Sequence, residues 1–250
     1  MGNPFEKVPE GCISEILSLT SAWDASRSSL ISKAFKSAAD SDAVWNRFLP
    51  QDWPEILSRA DSAAVINYRT KKDLFFTLSH NFLLIDGAKL SFCLDRRNGK
   101  KCYLIGAREL LISWKNCWYF APHPNSRFSE AAWLKSIGWI HIQGRIRSEA
   151  LSQNTTYAAY LVFWHQTKEA LKSSNTIVRF LDHHGTTEHL ASQETGKIGH
   201  QRRDGWMEIE MGKFYNAYHR YDEVEVWLIE INSPHGKSGL IVEGIEFRPV

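Results

Sequence analysis

The apolar positions of this chain change their spacing near residue 82. Before that point they recur at helical intervals, and after it they alternate. The stretch VPEGCISEILSLT (8–20) carries Ile13, Ile16 and Leu17 at i, i+3 and i+4, with Cys12 beside them. Pro9 suits the first turn of a helix, where its missing N–H costs nothing, and Glu10 suits the positive end of the dipole. Ser21 or Asp24 is placed to cap a short second helix. Leu30, Ile31, Ala34, Phe35 and Ala38 form a third stripe. Asp40 or Asp42 then caps a last turn carrying Val44, Trp45 and Phe48, and Pro50 and Pro54 mark a break. Residues 1–50 thus read as a small three-helix module. Stripes this apolar on a piece this small either pack on the rest of the chain or meet a partner.

Residues 51–98 read as a connector holding one helix, DLFFTLSH (73–80), and the first strands of a hairpin. KLSFCLD (89–95) alternates with Leu90, Phe92 and Leu94 on one face, and Asn98-Gly99 is a strong hairpin signal. Further strands are expected at 139–146, 156–164, 206–211, 223–232 and 239–247. In WMEIEM (206–211) the alternation turns Met207, Ile209 and Met211 inward and Trp206, Glu208 and Glu210 outward. AAYLVFW (158–164) is apolar on both faces, as suits a central strand. Residues 99–250 therefore read as an all-β sandwich or jelly roll, and the whole chain as α+β and multidomain.

Composition narrows the function classes. Of 250 residues, 43% are hydrophobic and 23% charged, as in ordinary globular proteins, and the net charge of +2 gives nucleic acid no electrostatic footprint. No apolar run is long enough for a membrane span and no secretory leader is evident, so an intracellular, cytoplasmic or nuclear protein is expected. The four cysteines form no C-x-x-C pair, which leaves free thiols and no zinc motif. The ten tryptophans are the unusual feature, because indoles suit both sheet cores and ligand faces.

Motifs for covalent chemistry are missing: there is no nucleophile elbow, P-loop or H-E-x-x-H. Glu208 and Glu210 lie two apart on a strand, about 7 Å, near the spacing of an inverting glycosidase pair. On an outward face such a pair is ordinarily solvated. DHHGTTEHL (182–190) gathers His183, His184, Glu188 and His189, but its Gly-Thr-Thr reads as a loop rather than a metal site. No catalytic residue, cofactor or metal is expected.

Two stretches carry a family resemblance. Residues 8–50 resemble a plant F-box in their Val8-Pro9 start, Ile13, Ile16 and Leu17, the SLISKAF run and the Trp45 close. GKKCYLIGARELLISW (99–114), SRFSEAAWLKSIGWIHIQGRI (126–146), DGWMEIEMGKFYN (204–216) and EVEVWLIEIN (223–232) are similar to the phloem protein 2, or tobacco-lectin-like, family. The F-box resemblance implies docking on a Skp-type adaptor of a cullin–RING ubiquitin ligase, through Val8, Pro9, Ile13, Ile16 and Leu17, with Leu30, Phe35 and Trp45 divided between interface and core. The lectin resemblance implies a sugar site built from Trp114, Trp118, Glu223 and Glu230, binding a client protein or glycoprotein through GlcNAc or mannose. Indoles pack on sugar C–H faces and carboxylates accept from hydroxyls. The loop KNCWYFAPHP (115–124) is shorter than the family pattern. A sandwich that reads protein rather than sugar, or a free lectin with an inert F-box, are the alternatives.

Overall fold

The computed structural model describes residues 8–61, 66–166, 171–182, 184–217, 221–231 and 237–250. The chain forms two compact units. One runs up to Leu83 and takes in Phe92–Lys101, and the other comprises Leu84–Ser91 and Cys102–Val250.

The first unit is helical: α1 (Glu10–Ser18), α2 (Ala22–Ser28), α3 (Lys33–Asp40), α4 (Asp42–Phe48), α5 (Trp53–Ser58) and α6 (Lys71–His80). Residues 8–50 hold four short helices instead of three, because Ser41 ends α3 and starts α4 at once. Its hydroxyl accepts from the Ala43 N–H at 3.3 Å, so neither Asp40 nor Asp42 is the cap. Ser21, Ser32 and Thr70 cap α2, α3 and α6 in the same way. The core forms around Trp45, whose ring lies 5.4 Å from Phe75 and 5.2 Å from Phe76, while its indole N–H donates to Ala39 O at 2.7 Å. Gly99 closes the turn after Leu94 with φ +69°. A Cβ there would sit 2.4 Å from Phe48 O, so both backbone and space demand glycine.

The strands form an antiparallel β-sandwich, most of which lies in the second unit. In chain order the strands are β1 (Leu83–Ile85), β2 (Leu90–Leu94), β3 (Lys101–Gly106), β4 (Leu111–Ile112), β5 (Trp118–Ala121), β6 (Ala131–Leu134) and β7 (Ile140–Arg147). They continue with β8 (Thr155–Trp164), β9 (Asn175–Leu181), β10 (Thr187–Thr195), β11 (His200–Gln201), β12 (Met207–Asn216), β13 (Glu223–Glu230) and β14 (Ile241–Pro249). The larger sheet runs β1-β2-β3-β14-β8-β12-β11, with β6 also on β14 and β5 on β6. The smaller runs β10-β9-β13-β7-β4. Between the sheets lie Ile142 and Ile146 of β7, Val224, Val226 and Leu228 of β13, and Ile209, Met211 and Phe163 of the larger sheet, all buried.

β8 is buried on both faces for a specific reason. The outer face of the larger sheet carries a second small core of Leu104, Phe128, Ala131, Val162, Trp206 and Ile241. Trp206 is therefore buried, against the outward placement its alternation suggests. Residues from the 123–128 loop cover it: its indole N–H donates to Asn125 O at 2.9 Å and His123 packs on its ring at 4.5 Å. The His-rich segment also departs from a loop reading, since β10 begins at Thr187. His183 and the Glu188 side chain lie outside the described residues.

Candidate functional sites

The apolar stripe of α1 divides. Ile13 and Leu17 are buried in the helical core with Phe35 and Trp45, whereas Ile16 is 58% and Leu30 87% exposed. Pro9 is exposed and Val8 half-buried. At about 100° per residue Ile16 stands a quarter-turn from Leu17, so it flanks the buried stripe instead of joining it. Ile31, of the third stripe, is exposed as well, as are Leu19 and Trp23, which no stripe singled out. Five large apolar side chains thus face outward between residues 16 and 31.

At one end of the sandwich three segments meet. Ser113 follows β4 and donates its N–H to His141 O at 3.1 Å, which ties Trp114 to β7. Trp114 has left-handed backbone (φ 59°, ψ 56°), a strained state for a bulky residue, and its carbonyl accepts from the Cys117 N–H at 2.8 Å. The ring is 58% exposed. Trp139, just before β7, meets it edge to face, with centroids 5.8 Å apart at 84°. Glu230 closes β13 opposite Ile140, and its carboxylate lies 3.7 Å from Lys237 Nζ. The Lys237 backbone in turn bridges Ile137. The result is a right-angled corner of two exposed indoles, with the buried Glu230 carboxylate and half-buried Lys237 on the neighbouring segments. Such a corner offers flat apolar faces suited to a ring bearing C–H groups.

Of the four residues expected to bind sugar, Trp114 stands at this corner, while Glu230 ends β13 opposite Ile140 with its side chain buried. Trp118 lies in β5 opposite Leu134, and its ring is buried. Glu230 is fully buried, so its charge serves Lys237. Glu223 stands at the far end of β13, opposite Arg147 and 4.0 Å from Arg145. Seven residues along a strand span about 23 Å, and an odd spacing puts the two glutamates on opposite faces. Motif reasoning takes Trp139 as structural, from its strand position, and passes over Lys237. Trp139 precedes a strand by one residue, a position where an indole escapes the pleat, and that was the available signal.

Elsewhere in the sandwich several charged groups are committed to ion pairs. On the outer face of the smaller sheet Glu225 is fully buried, held by Arg145 Nε at 2.6 Å and by Arg179 and Gln143, while Arg179 lies over the Trp227 ring at 4.4 Å. Burial holds the neighbouring His141 below the usual imidazole range, against the pull of Glu225. Glu208 and Glu210 are half-buried rather than solvated. Glu208 accepts from Arg248 at 2.7 Å and Arg202 at 3.0 Å, and Glu210 from Lys197 at 2.8 Å. Among the described residues no group of three or more His, Cys, Asp or Glu side chains is arranged to hold a metal. No helix among them is long and apolar enough to cross a membrane.

A small helical module followed by an antiparallel sandwich with an exposed aromatic corner defines a two-part, lectin-like architecture. Residues 100–249 match the family model described as phloem protein 2. The chain is similar to Arabidopsis thaliana F-box protein At2g02240, at 40% identity over 99% of this chain and 81% of that protein. F-box protein PP2-B10 of Arabidopsis thaliana is 34% identical over 99% of this chain and 94% of its own length. The chain therefore belongs to the plant F-box PP2-B family, with a phloem protein 2 domain. Among solved structures, a family 35 carbohydrate-binding module from Clostridium thermocellum aligns with 60% of this chain and 98% of its own, at 11% identity and a TM-score of 0.34, a likeness too slight to bear weight.

Proposed function

We propose that this chain is the substrate receptor of a Skp–cullin–F-box ubiquitin ligase acting in the cytoplasm or nucleus. The helical unit holds the Skp-type adaptor and the sandwich holds the client. The carrying observation is the outward set Ile16, Leu19, Trp23, Leu30 and Ile31 on a unit that needs none of them for its core. An apolar helical face of this kind fits a partner's groove. The chain itself makes no covalent step. It acts by raising the local concentration of client lysines near the loaded enzyme. Replacing Ile16→Asp with Leu30→Asp is expected to abolish pull-down of a plant Skp-type adaptor while circular dichroism and melting stay unchanged. Retained pull-down would refute adaptor docking through this face and favour a free lectin with an inert F-box.

For the client, the Trp114–Trp139 corner supports a glycan reading, with GlcNAc or mannose stacked on the exposed indoles. Titration with chitin oligomers and high-mannose glycans, followed by tryptophan fluorescence, is expected to saturate. Trp114→Ala is expected to weaken it by roughly tenfold or more. A second reading has its own observation: Trp118 and Glu230 are buried and Glu223 is remote, so few polar groups meet a sugar at this corner. A folded wild-type chain that binds no glycan would establish that reading, a sandwich that recognises protein.

A further inference from the structure

The helical unit contains a cavity of about 430 Å³ that the glycan reading does not use and that shares only Trp23 with the adaptor face. Its walls come from the start of α2 (Ser21, Ala22 and Trp23), the end of α6 (Phe76, Ser79 and His80), and the turn after Leu94 (Arg96 and Arg97). The floor is apolar: Ala22 is buried, Phe76 is half-buried, and Trp23 supplies an exposed indole at the side. A cavity of this size, mostly hydrocarbon with a few polar groups at its mouth, has the character of a small-molecule site.

The charged side chains that line it, Arg96 and Arg97, share one sign. Arg96 spends its Nε–H on Ser79 O at 3.0 Å, and the guanidiniums of Arg96 and Arg97 form no ion pair among the described residues. The carboxylates nearby are used elsewhere. Asp95 accepts the backbone N–H groups of Arg97 and Asn98 at 2.9 and 3.0 Å, and Asp24 accepts the Ser21 hydroxyl at 2.7 Å. His80 donates Nδ1–H to Phe76 O at 2.8 Å and lies tilted against the Phe76 ring at 5.8 Å, which fixes its imidazole in the cavity wall. Among the described residues no acidic side chain lines the cavity.

We propose that this cavity binds a small apolar acid: a one- or two-ring or short aliphatic body seated against Trp23, Phe76 and Ala22, with its carboxylate held by Arg96 and Arg97. Planar guanidiniums match a carboxylate in geometry as well as charge. A neutral molecule of the same shape would fill the floor and leave the cations unmatched, so charge sets the selectivity.

Calorimetry on the full chain with 2-naphthoate and its neutral analogue 2-naphthamide tests this. One-to-one binding of the naphthoate is expected, about tenfold tighter than the amide. In the Arg96→Gln, Arg97→Gln double variant that preference should vanish. Both arginines are exposed, so the fold should survive, with circular dichroism as the control. Trp23→Ala should weaken both ligands together. Absence of naphthoate binding, equal affinity for acid and amide, or a preference that persists in the double variant would each overturn the proposal. So would binding of a blocked acidic-aromatic peptide without any binding of naphthoate, because the surface would then be a protein contact.

Discussion

Glu246 shows how far a single side chain can depart from its place in a pattern. It sits on β14, almost wholly buried, and three guanidiniums converge on it: Arg127 at 3.0 Å, Arg202 at 2.6 Å and Arg248 at 3.0 Å. Burial pushes its carboxyl up, and the surrounding arginines outweigh that and hold it at about 2, below its ordinary 4.5. A depressed carboxylate stabilises the fold fully above its unfolded value, and that stabilisation is lost as pH falls from about 4.5 through about 2. Glu246→Gln is expected to cost about 3 kcal/mol near neutral pH, because it removes the buried charge that three guanidiniums share, although Arg202 and Arg248 keep Glu208. Urea midpoints of the two proteins should converge as the medium is acidified through that window, and parallel curves would refute the assignment. None of this was legible from alternation, which reports the side of a strand a residue takes and not what later covers that side. Trp206 and Glu225 were hidden for the same reason, since their covers come from distant stretches of chain.

Elements were far more legible than partners. β12, β13 and β14 fall where period-two alternation and turn residues place them, and Ser21 caps α2. The separation of Glu223 from Glu230 was also available in principle, because seven is an odd number and one strand cannot put both on the same face. Family resemblance had carried the two across as a pair without that geometric check. Register irregularities were not legible. β14 slips against β8 between Val242 and Gly244, and Gly244 then passes so near β3 that an added Cβ would lie 2.0 Å from Ile105 O. Gly244→Ala is expected to pry β3 from β14 and destabilise the sandwich by about 1–3 kcal/mol, measured by chemical denaturation. A neutral effect would show that the two strands yield more readily than their spacing implies.

At the scale of the whole molecule, the change of apolar spacing near residue 82 divides helices from strands but does not divide the compact units. Leu84–Ser91 belong to the sandwich, Phe92–Lys101 to the helical unit, and the sandwich resumes at Cys102. The chain therefore crosses between its units three times, and no single peptide bond separates them. The family match begins at residue 100, which invites a cut just there. Such a cut discards the Lys89 carbonyl that accepts from Gly106 N–H at 3.0 Å and leaves the β3 edge bare. A fragment spanning 102–250 is expected to aggregate on size exclusion, whereas one spanning 82–250 keeps its edge partner and elutes as a monomer. Equal behaviour of the two fragments would show that the edge strands are dispensable. The boundary of similarity and the boundary of folding are different places in this chain, and recombinant expression would meet that difference first.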